Sequence, residues 1–254
     1  MIKSKTDNFK NNILGILPPA LAKKLYAINH KEVIFEEPLA NGEIVKVSVP
    51  ENMLGGYKKG HETGVKEKMI SDYSNAKGVV YDVGACFGYY SQVLYTVSQS
   101  KIYGFEPFIG HSMFFERTAK LSENQNDWML VPKFVGEKTQ GKTVSLDEFS
   151  VNNEYPTLIK IDADGFELEV LKGCKNIIKK GKTSFLIEFH MGNFNDESKK
   201  LYQYISEIFG FENFKFEYLK DIHYNNTIWQ PNIDKLLDDQ EVLSGDVYLH
   251  VMLT

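Results

Sequence analysis

The stretch that decides the fold is Val79-Val80-Tyr81-Asp82-Val83-Gly84-Ala85-Cys86-Phe87-Gly88, followed at once by the helical pattern of Tyr89 to Val97. The first five residues favour a buried strand, and the two glycines allow the tight turn that leads into the helix. Such a turn presents backbone N–H groups and the positive end of the helix dipole at the carboxyl edge of a parallel sheet. We therefore expect a ligand-binding crevice there, shaped by Asp82, Gly84, Ala85, Gly88 and Ser91.

The alternation of strand and helix continues along the chain and predicts the fold class. Six more strand-like runs follow the first, at Lys101–Glu106, Trp128–Val131, Leu158–Asp162, Phe185–His190, Phe214–Leu219 and Val247–Met252. Between several of these strands, apolar residues recur at three- and four-residue spacing, as in a helix. These segments are Ser112–Leu121, Phe166–Lys179 and Lys199–Phe209. This order indicates an α/β fold with a Rossmann-like, seven-stranded, mostly parallel, doubly wound sheet. The polar connection over residues 220–245 lacks a helical pattern, so we expect the last two strands to be antiparallel to each other.

The N-terminal part of the chain predicts a helix and a β-hairpin that precede the sheet. Leu14–Ile28 is amphipathic, and its two consecutive prolines suit the start of a helix but not its interior. Apolar runs at Val33–Phe35 and Val45–Val49 flank Asn41-Gly42, a strong hairpin signal. We expect residues 1–59 to form this extension and residues 60–254 to form the ligand-binding domain.

Composition and charge limit the classes of partner. The 254 residues carry a net charge of −5, which leaves no excess of Lys and Arg to grip nucleic-acid phosphates or anionic lipid. Cys86 and Cys174 have no Cys or His neighbours at metal-ligand spacing, and no apolar stretch reaches the roughly 20 residues of a membrane span. We expect a cytoplasmic protein with a small-molecule or carbohydrate acceptor, no bound metal, and neither a nucleic-acid nor a membrane partner.

The end of the second strand indicates which ligand the crevice holds. Glu106 follows Gly84 by 22 positions, the spacing of an acid that binds a ribose, and Pro107 follows it directly. A dinucleotide site needs a glycine where Cys86 stands, because the backbone there must touch a pyrophosphate. A ligand held by its ribose and amino-acid groups has no such requirement. The combination predicts S-adenosylmethionine as the cofactor and disfavours a nicotinamide oxidoreductase.

Polar side chains at the ends of the fourth and fifth strands are the candidate catalytic groups. Asp162 follows an apolar strand and is expected to face the cofactor crevice, where it also contacts the cofactor. Glu188 and His190 lie on one face of the next strand. His190 is the candidate general base, because an imidazole can take a proton from an acceptor hydroxyl at neutral pH.

Alternatives stay open for several polar residues. A histidine in the place of His190 is equally often satisfied by a neighbouring carboxylate, and Asp164 and Glu167 are as well explained as acids at the start of a helix. Asp162, Asp164 and Glu188 are also suited to hold a divalent cation that acidifies the hydroxyl. Glu62, beside His61, is expected at the entrance to the cofactor crevice.

Four motifs in this order resemble the FkbM family of S-adenosylmethionine-dependent methyltransferases, from about Gly60 to the C-terminus. The family's Asp-Val-Gly-Ala-Asn-x-Gly and Phe-Glu-Pro appear here at Asp82–Gly88 and Phe105–Pro107. Its Ile-Lys-Ile-Asp-x-Glu-Gly-x-Glu with Val-Leu-x-Gly, and its Glu-x-His, appear at Ile159–Gly173 and Glu188–His190. The resemblance implies a class I methyltransferase fold and O-methylation of a hydroxyl on a sugar, a glycan or a secondary metabolite.

The chain also departs from the family pattern. Cys86 stands where the family has Asn, and Asp164 where it has Glu. The family's adenine contacts are expected from Ser122–Lys142, which is short here, with Phe134 and Val135 as the apolar wall. The departures leave a non-catalytic binding module on the same fold as an alternative. A methyltransferase acting on nucleic acid or protein is a further alternative, and the acidic charge argues against the nucleic-acid version.

Overall fold

One large sheet organises the chain, with helices on both of its faces. The computed structural model describes residues 18–57, 63–190, 204–209, 214–220, 229–231 and 246–253. The strands are β1 (Glu32–Pro38), β2 (Ile44–Pro50), β3 (Val79–Val83), β4 (Lys101–Phe105), β5 (Trp128–Val131), β6 (Phe134–Val135), β7 (Thr143–Val144), β8 (Leu158–Ile161), β9 (Ser184–His190), β10 (Phe214–Lys220), β11 (Gln230–Pro231) and β12 (Asp246–Leu253). The helices are α1 (Pro19–Asn29), α2 (Leu54–Tyr57), α3 (Thr63–Tyr73), α4 (Tyr89–Ser98), α5 (Ile109–Ala119), α6 (Leu146–Asn152), α7 (Glu167–Lys172) and α8 (Lys175–Lys180), with further helical residues at 204–209.

The strand order of the sheet is β11-β10-β12-β9-β8-β3-β4-β5. The five strands from β9 to β5 are parallel, and β12 is antiparallel to both β9 and β10. The predicted seven-stranded Rossmann-like sheet is therefore confirmed, including its antiparallel last pair, and the two-residue β11 extends its edge. The chain runs from β3 outward to β4 and later returns to β8 on the other side, which makes the β3–β8 boundary the switch point where ligands bind in such sheets.

The two faces of the sheet bury separate apolar clusters, because successive strand residues point to opposite sides. Tyr81 and Val83 pack with α6, α7, α8 and residues 204–209. Val80 packs on the other face, with α3, α4 and α5.

The predicted hairpin and N-terminal helix are present. Strands β1 and β2 pair in antiparallel register around the Asn41-Gly42 turn, and Val45, Val47 and Val49 are buried in the cluster that also contains α4 and α5. Helix α1 begins at Pro19, as the prolines predicted, while residues 14–17 of the predicted helix lie outside the described residues. No helix in the described part of the chain is long and apolar enough to cross a membrane.

The single helix predicted over Phe166–Lys179 is wrong, since α7 and α8 are separate. A Cβ on Gly173, between them, would lie 2.1 Å from the Gly136 carbonyl oxygen, so the chain passes this point in close backbone contact. The Asp147 carboxylate then accepts hydrogen bonds of 2.9 Å from the N–H groups of both Asn176 and Ile177. The second helix starts where these two donors find a partner. Most of the polar connection at 220–245 lies outside the described residues.

Candidate functional site

The turn after β3 is held between its two neighbouring strands. Gly84 and Gly88 have left-handed φ angles of 76° and 83°, and Cys86 has one of 49°. The N–H groups of Gly84 and Ala85 donate to the Phe105 carbonyl of β4 at 3.0 and 3.2 Å. A Cβ on Gly84 would lie 1.8 Å from the backbone oxygen of Asp162, so only glycine fits there. The turn therefore lies at the switch point that the sheet order defines.

Glu106 is joined directly to this turn. Its side chain is almost fully buried, at 4% exposure. Its Oε2 accepts a hydrogen bond of 3.0 Å from the Cys86 N–H, and its Oε1 accepts one of 2.8 Å from the Phe108 N–H. Each carboxylate oxygen can accept more than one hydrogen bond. The structure thus fixes the predicted ribose-binding acid beside the glycine turn, with the half-buried Pro107 next to it.

His111 also belongs to this site, although the sequence analysis did not select it. Its Nδ1 lies 3.6 Å from Oε2 of Glu106, and its ring packs edge-on against Phe87 with 5.0 Å between centroids. Burial lowers the pKa of His111, but the neighbouring Cys86 and Glu106 side chains outweigh this effect and raise the pKa well above its usual range. This arrangement therefore favours the protonated form of the imidazole, which faces the carboxylate. His111 sits in the first turn of α5 and not at a strand end, which is why a rule based on strand ends misses it.

Asp82 and Ser91 lie beneath the turn and not in an open crevice. Both are fully buried, and the Ser91 hydroxyl donates a hydrogen bond of 2.6 Å to Oδ2 of Asp82. Burial raises the pKa of the Asp82 carboxyl, while the Lys160 ammonium and the Ser91 hydroxyl act in the opposite direction. This contact ties the start of α4 to the end of β3 and so sets the position of the glycine turn.

A buried lysine connects Asp82 to Asp162. Lys160 of β8 is 1% exposed, and its Nζ lies 3.2 Å from Oδ2 of Asp162 and 3.7 Å from Oδ1 of Asp82. The ammonium also lies 4.9 Å from the centre of the Tyr90 ring. The sequence does contain a signal for these ion pairs, because Lys160 interrupts the apolar run Leu158–Ile161. A buried lysine rarely lacks a charged partner.

The three predicted catalytic residues come from neighbouring strand ends. Asp162 directly follows β8, is 28% exposed, and donates its N–H to the Val83 carbonyl at 3.0 Å. The β8–β9 ladder pairs Ile161 with Ile187, so Glu188, which is buried, comes one position further on β9. His190 is the last residue of β9, where its backbone pairs with Asp246 of β12. The side chain of His190 lies outside the described part of the structure.

Asp164 and Glu167 form a turn of their own after Asp162. Glu167 is fully buried, and its Oε1 accepts hydrogen bonds from the N–H groups of Ala163 and Gly165, at 3.2 and 2.9 Å. Asp164 and Gly165 have left-handed φ angles of 50° and 99°. Glu167 therefore fixes this turn, and the exposed Asp164 stands at its tip. The described residues contain no group of three or more His, Cys, Asp and Glu side chains arranged to hold a metal ion.

The remaining predicted contacts divide into buried, exposed and undescribed residues. Ala85 and Val135 are buried, and Val135 packs in the apolar cluster beneath the sheet. Its neighbour Phe134 is 44% exposed, with its ring 5.9 Å from that of Phe108. Glu62, together with His61, lies outside the described residues.

Comparison with known proteins identifies part of the chain. Residues 110–218 match the model of the methyltransferase FkbM domain. The resemblance predicted from the motifs is confirmed, although the match covers less of the chain than the expected span from Gly60 onward. The motifs at Asp82–Gly88 and Phe105–Pro107 lie before the matched range. No curated protein matches the chain.

Two solved structures are similar in fold. The methyltransferase FkbM from Methylobacillus flagellatus KT has a TM-score of 0.52 at 17% identity, over 69% of this chain and 43% of that one. The chain thus spans less than half of that protein. A candidate rRNA methylase from Clostridium thermocellum has a TM-score of 0.50 at 10% identity, over 76% of this chain and 96% of that one. At these identities the two structures support the architecture alone.

Proposed function

We propose, from the methyltransferase FkbM domain that residues 110–218 carry, that this chain binds S-adenosylmethionine and methylates a hydroxyl oxygen. The observation that carries the cofactor proposal is the link between the glycine turn and Glu106 through the Cys86 N–H. It holds a carboxylate that could accept hydrogen bonds from ribose hydroxyls at the edge of the turn, in the place where nucleotide ligands bind in this fold.

The charges of the crevice favour a cationic ligand over a pyrophosphate. Glu106, Asp162 and Glu188 lie at or near the carboxyl ends of β4, β8 and β9 and outnumber the His111 imidazole beside them, while the buried Asp82 pairs with Lys160. The Cys86 N–H, which a pyrophosphate would need at this turn, already donates to Glu106. An acidic crevice repels phosphate oxygens and attracts a sulfonium ion. The carboxylates of the crevice therefore fit S-adenosylmethionine better than a dinucleotide.

Separate groups of residues would hold the parts of the cofactor. Glu106 accepts from the ribose hydroxyls, and Gly84 and Gly88 leave room for the methionine part beside the first turn of α4. Phe134 and Phe108 are better placed than the buried Val135 to flank an adenine ring, because Phe134 is exposed beside Phe108. The His111 ring, with its Nδ1 3.6 Å from Oε2 of Glu106, would help to position this carboxylate.

When bound, S-adenosylmethionine would supply an electrophilic methyl group. The acceptor oxygen would attack the methyl carbon in line with the C–S bond, which breaks and leaves S-adenosylhomocysteine. The acceptor hydroxyl must lose its proton as the new C–O bond forms, and a basic group of the protein takes that proton. Asp162 is 28% exposed, whereas Glu188 is buried, and the Nζ of Lys160 lies 3.2 Å from Oδ2 of Asp162. His190, at the end of β9, remains the proposed imidazole base, with Glu188 beside it. Alignment of the oxygen with the methyl group supplies most of the rate acceleration.

The test of the cofactor proposal is a calorimetric titration with S-adenosylmethionine and, in parallel, NAD. We expect saturable binding of S-adenosylmethionine alone. Glu106→Gln should weaken it about 10- to 100-fold, the effect of losing one charged hydrogen bond. Glu148→Gln, at an exposed position on α6, is the matched control and should leave the affinity unchanged. Absence of S-adenosylmethionine binding, or equal affinity for NAD, overturns the proposal.

The reaction is tested separately with S-adenosylmethionine that carries an isotopically labelled methyl group. Glycosides and other hydroxylated metabolites are offered beside RNA and a protein mixture, and the products are analysed by mass spectrometry. Label in an acid-stable ether on a small or carbohydrate acceptor supports O-methylation. Label confined to RNA or protein refutes the proposed acceptor class, and its absence from every acceptor in the presence of cofactor binding favours a non-catalytic module.

A further inference from the structure

A groove lies between the N-terminal hairpin and α2, outside the glycine turn. It has a volume of about 410 Å³, which is within the range of small-molecule sites. Its walls come from β1, with Phe35, Glu36 and Glu37, and from α2, with Leu54 and Tyr57. None of these residues belongs to the proposed cofactor site.

Aromatic rings connect the groove to the glycine turn. The ring of Tyr57 lies 5.5 Å from that of Phe35 and 5.6 Å from that of Tyr89, between centroids. Tyr89 is the first residue of α4 and directly follows Gly88. The ring of Tyr90 is 5.1 Å from that of Tyr89. An aromatic surface therefore runs from the groove to the edge of the proposed methyl-transfer site.

The carboxylates of the groove are paired with lysines. Glu37 forms an ion pair of 2.5 Å with Lys66, and the Tyr89 hydroxyl donates a hydrogen bond to the other oxygen of Glu37. Glu36 forms an ion pair of 3.1 Å with Lys46. The two acids and two lysines cancel in charge, so the groove has little attraction for an ionic ligand. It offers hydrogen-bond donors and acceptors beside aromatic rings.

A neutral sugar ring matches this combination. Its C–H face is apolar and packs on aromatic side chains, while its hydroxyls both donate and accept hydrogen bonds. The Glu36 carboxylate is 54% exposed and can accept hydrogen bonds from sugar hydroxyls, whereas an aromatic metabolite without hydroxyls would offer it no donor. The polar groups therefore favour a glycan over a purely apolar acceptor.

The groove is separated from Asp162 by several side chains. Tyr89 and Tyr90 intervene first, and Lys160 then bridges from the Tyr90 ring to Asp162. A ring bound against Tyr57 is therefore not the ring that receives the methyl group. The acceptor must extend from the groove toward the glycine turn.

We propose that this groove is an acceptor subsite for a neutral oligosaccharide or glycoside, in which one sugar ring stacks on Tyr57 while an adjoining unit presents its hydroxyl for methylation. The inference rests on the proposed methyl transfer. Binding energy at such a remote subsite positions the reacting hydroxyl.

The experiment measures sugar binding without turnover, by saturation-transfer difference NMR. The probes are methyl β-cellobioside, methyl β-maltoside and methyl β-lactoside, beside the monosaccharide methyl α-glucoside and the acidic sialyllactose. We expect at least one neutral disaccharide to receive saturation on its C–H protons and to bind better than the monosaccharide and the acidic sugar. Tyr57→Ala should weaken that binding at least fivefold, and Tyr57→Phe should retain it.

Two controls separate this inference from the proposed function and from unfolding. Val151→Ala lies at the groove between α6 and α8, which is lined without aromatic side chains, and should leave sugar binding unchanged. Thermal unfolding and calorimetric titration with S-adenosylmethionine accompany each variant. Cofactor binding without binding of any disaccharide, or with disaccharide binding unaffected by Tyr57→Ala, overturns the subsite alone. If the unmodified protein does not bind S-adenosylmethionine, the proposed function itself is refuted.

Discussion

The backbone N–H of Cys86 donates a hydrogen bond of 3.0 Å to Oε2 of Glu106. This contact joins the turn after β3 to the acid after β4, so neither can move without the other. A substitution that shifts the turn should therefore change both stability and cofactor affinity.

Gly84→Ala should destabilise the protein by about 3 kcal/mol or more, because the new methyl group meets the Asp162 carbonyl in a left-handed backbone conformation. Gly141 also has a positive φ, of 57°, but its Cβ would meet nothing within 4 Å. Gly141→Ala is therefore the matched control and should cost about 1 kcal/mol. Urea denaturation measures both, and equal losses would show that the close approach at Gly84 is unimportant.

Lys160→Met should destabilise the protein by about 3–5 kcal/mol, because it leaves the buried Asp82 carboxylate without its cation. Lys46→Met breaks an exposed pair with Glu36 and should cost less than about 1 kcal/mol. Replacing Asp82 as well, in Asp82→Asn with Lys160→Met, should recover part of the loss. Denaturant titration of the three variants measures their free energies of unfolding. If the double variant is no more stable than Lys160→Met, the loss does not come from an unpaired Asp82 carboxylate.

The two cysteines should react differently with iodoacetamide. Cys86 is partly exposed at the glycine turn, whereas Cys174 is fully buried, and burial raises the pKa of its thiol well above the usual range. We expect alkylation of Cys86 first, slowed at least threefold by S-adenosylhomocysteine. Peptide mass spectrometry follows both sites. Faster labelling of Cys174 would contradict its burial in the core. Absence of protection at Cys86, under conditions where S-adenosylhomocysteine binds, would contradict its position at the cofactor site.

A buried histidine away from the site should make stability depend on pH. His250 of β12 is fully buried beneath α3, and burial lowers its pKa to about 4. Tyr73, Asp72 and Lys68 face it from α3, and Glu217 faces it from β10. In the unfolded chain the pKa is about 6.5.

Between pH 6.5 and pH 4 the unfolded state therefore binds more protons at His250, and stability falls as the pH decreases. The loss at pH 4 is on the order of 3 kcal/mol from this residue. His250→Gln should remove that part of the slope, whatever its effect at pH 7. Urea denaturation of both proteins between pH 7 and pH 4.5 measures the difference, and identical slopes would show that folding does not lower the pKa of His250.

The sequence predicted the features that depend on local pattern. The strand β3, its glycine turn and the spacing to Glu106 follow from residues within one strand–helix–strand unit, and the structure brings them together. The antiparallel pair of β10 and β12 was predictable from the missing helical pattern between them.

Features that depend on distant neighbours were not predictable in this way. The break between α7 and α8 depends on Gly136 and Asp147, which are remote in sequence from Gly173. His111 reaches Glu106 from a helix, and Lys160 lies opposite Asp82 on the neighbouring strand. Val135 was chosen for its apolar character alone, and the two-residue strand β6 turns it toward the core while Phe134 points outward.

The most direct test of the central claim is a crystal structure of the protein with S-adenosylhomocysteine. We expect the ribose hydroxyls at hydrogen-bond distance, about 2.6–3.2 Å, from the Glu106 carboxylate, with the amino-acid part above Gly84 and Gly88. S-adenosylhomocysteine bound elsewhere, or in the crevice without contact to Glu106, would contradict the account.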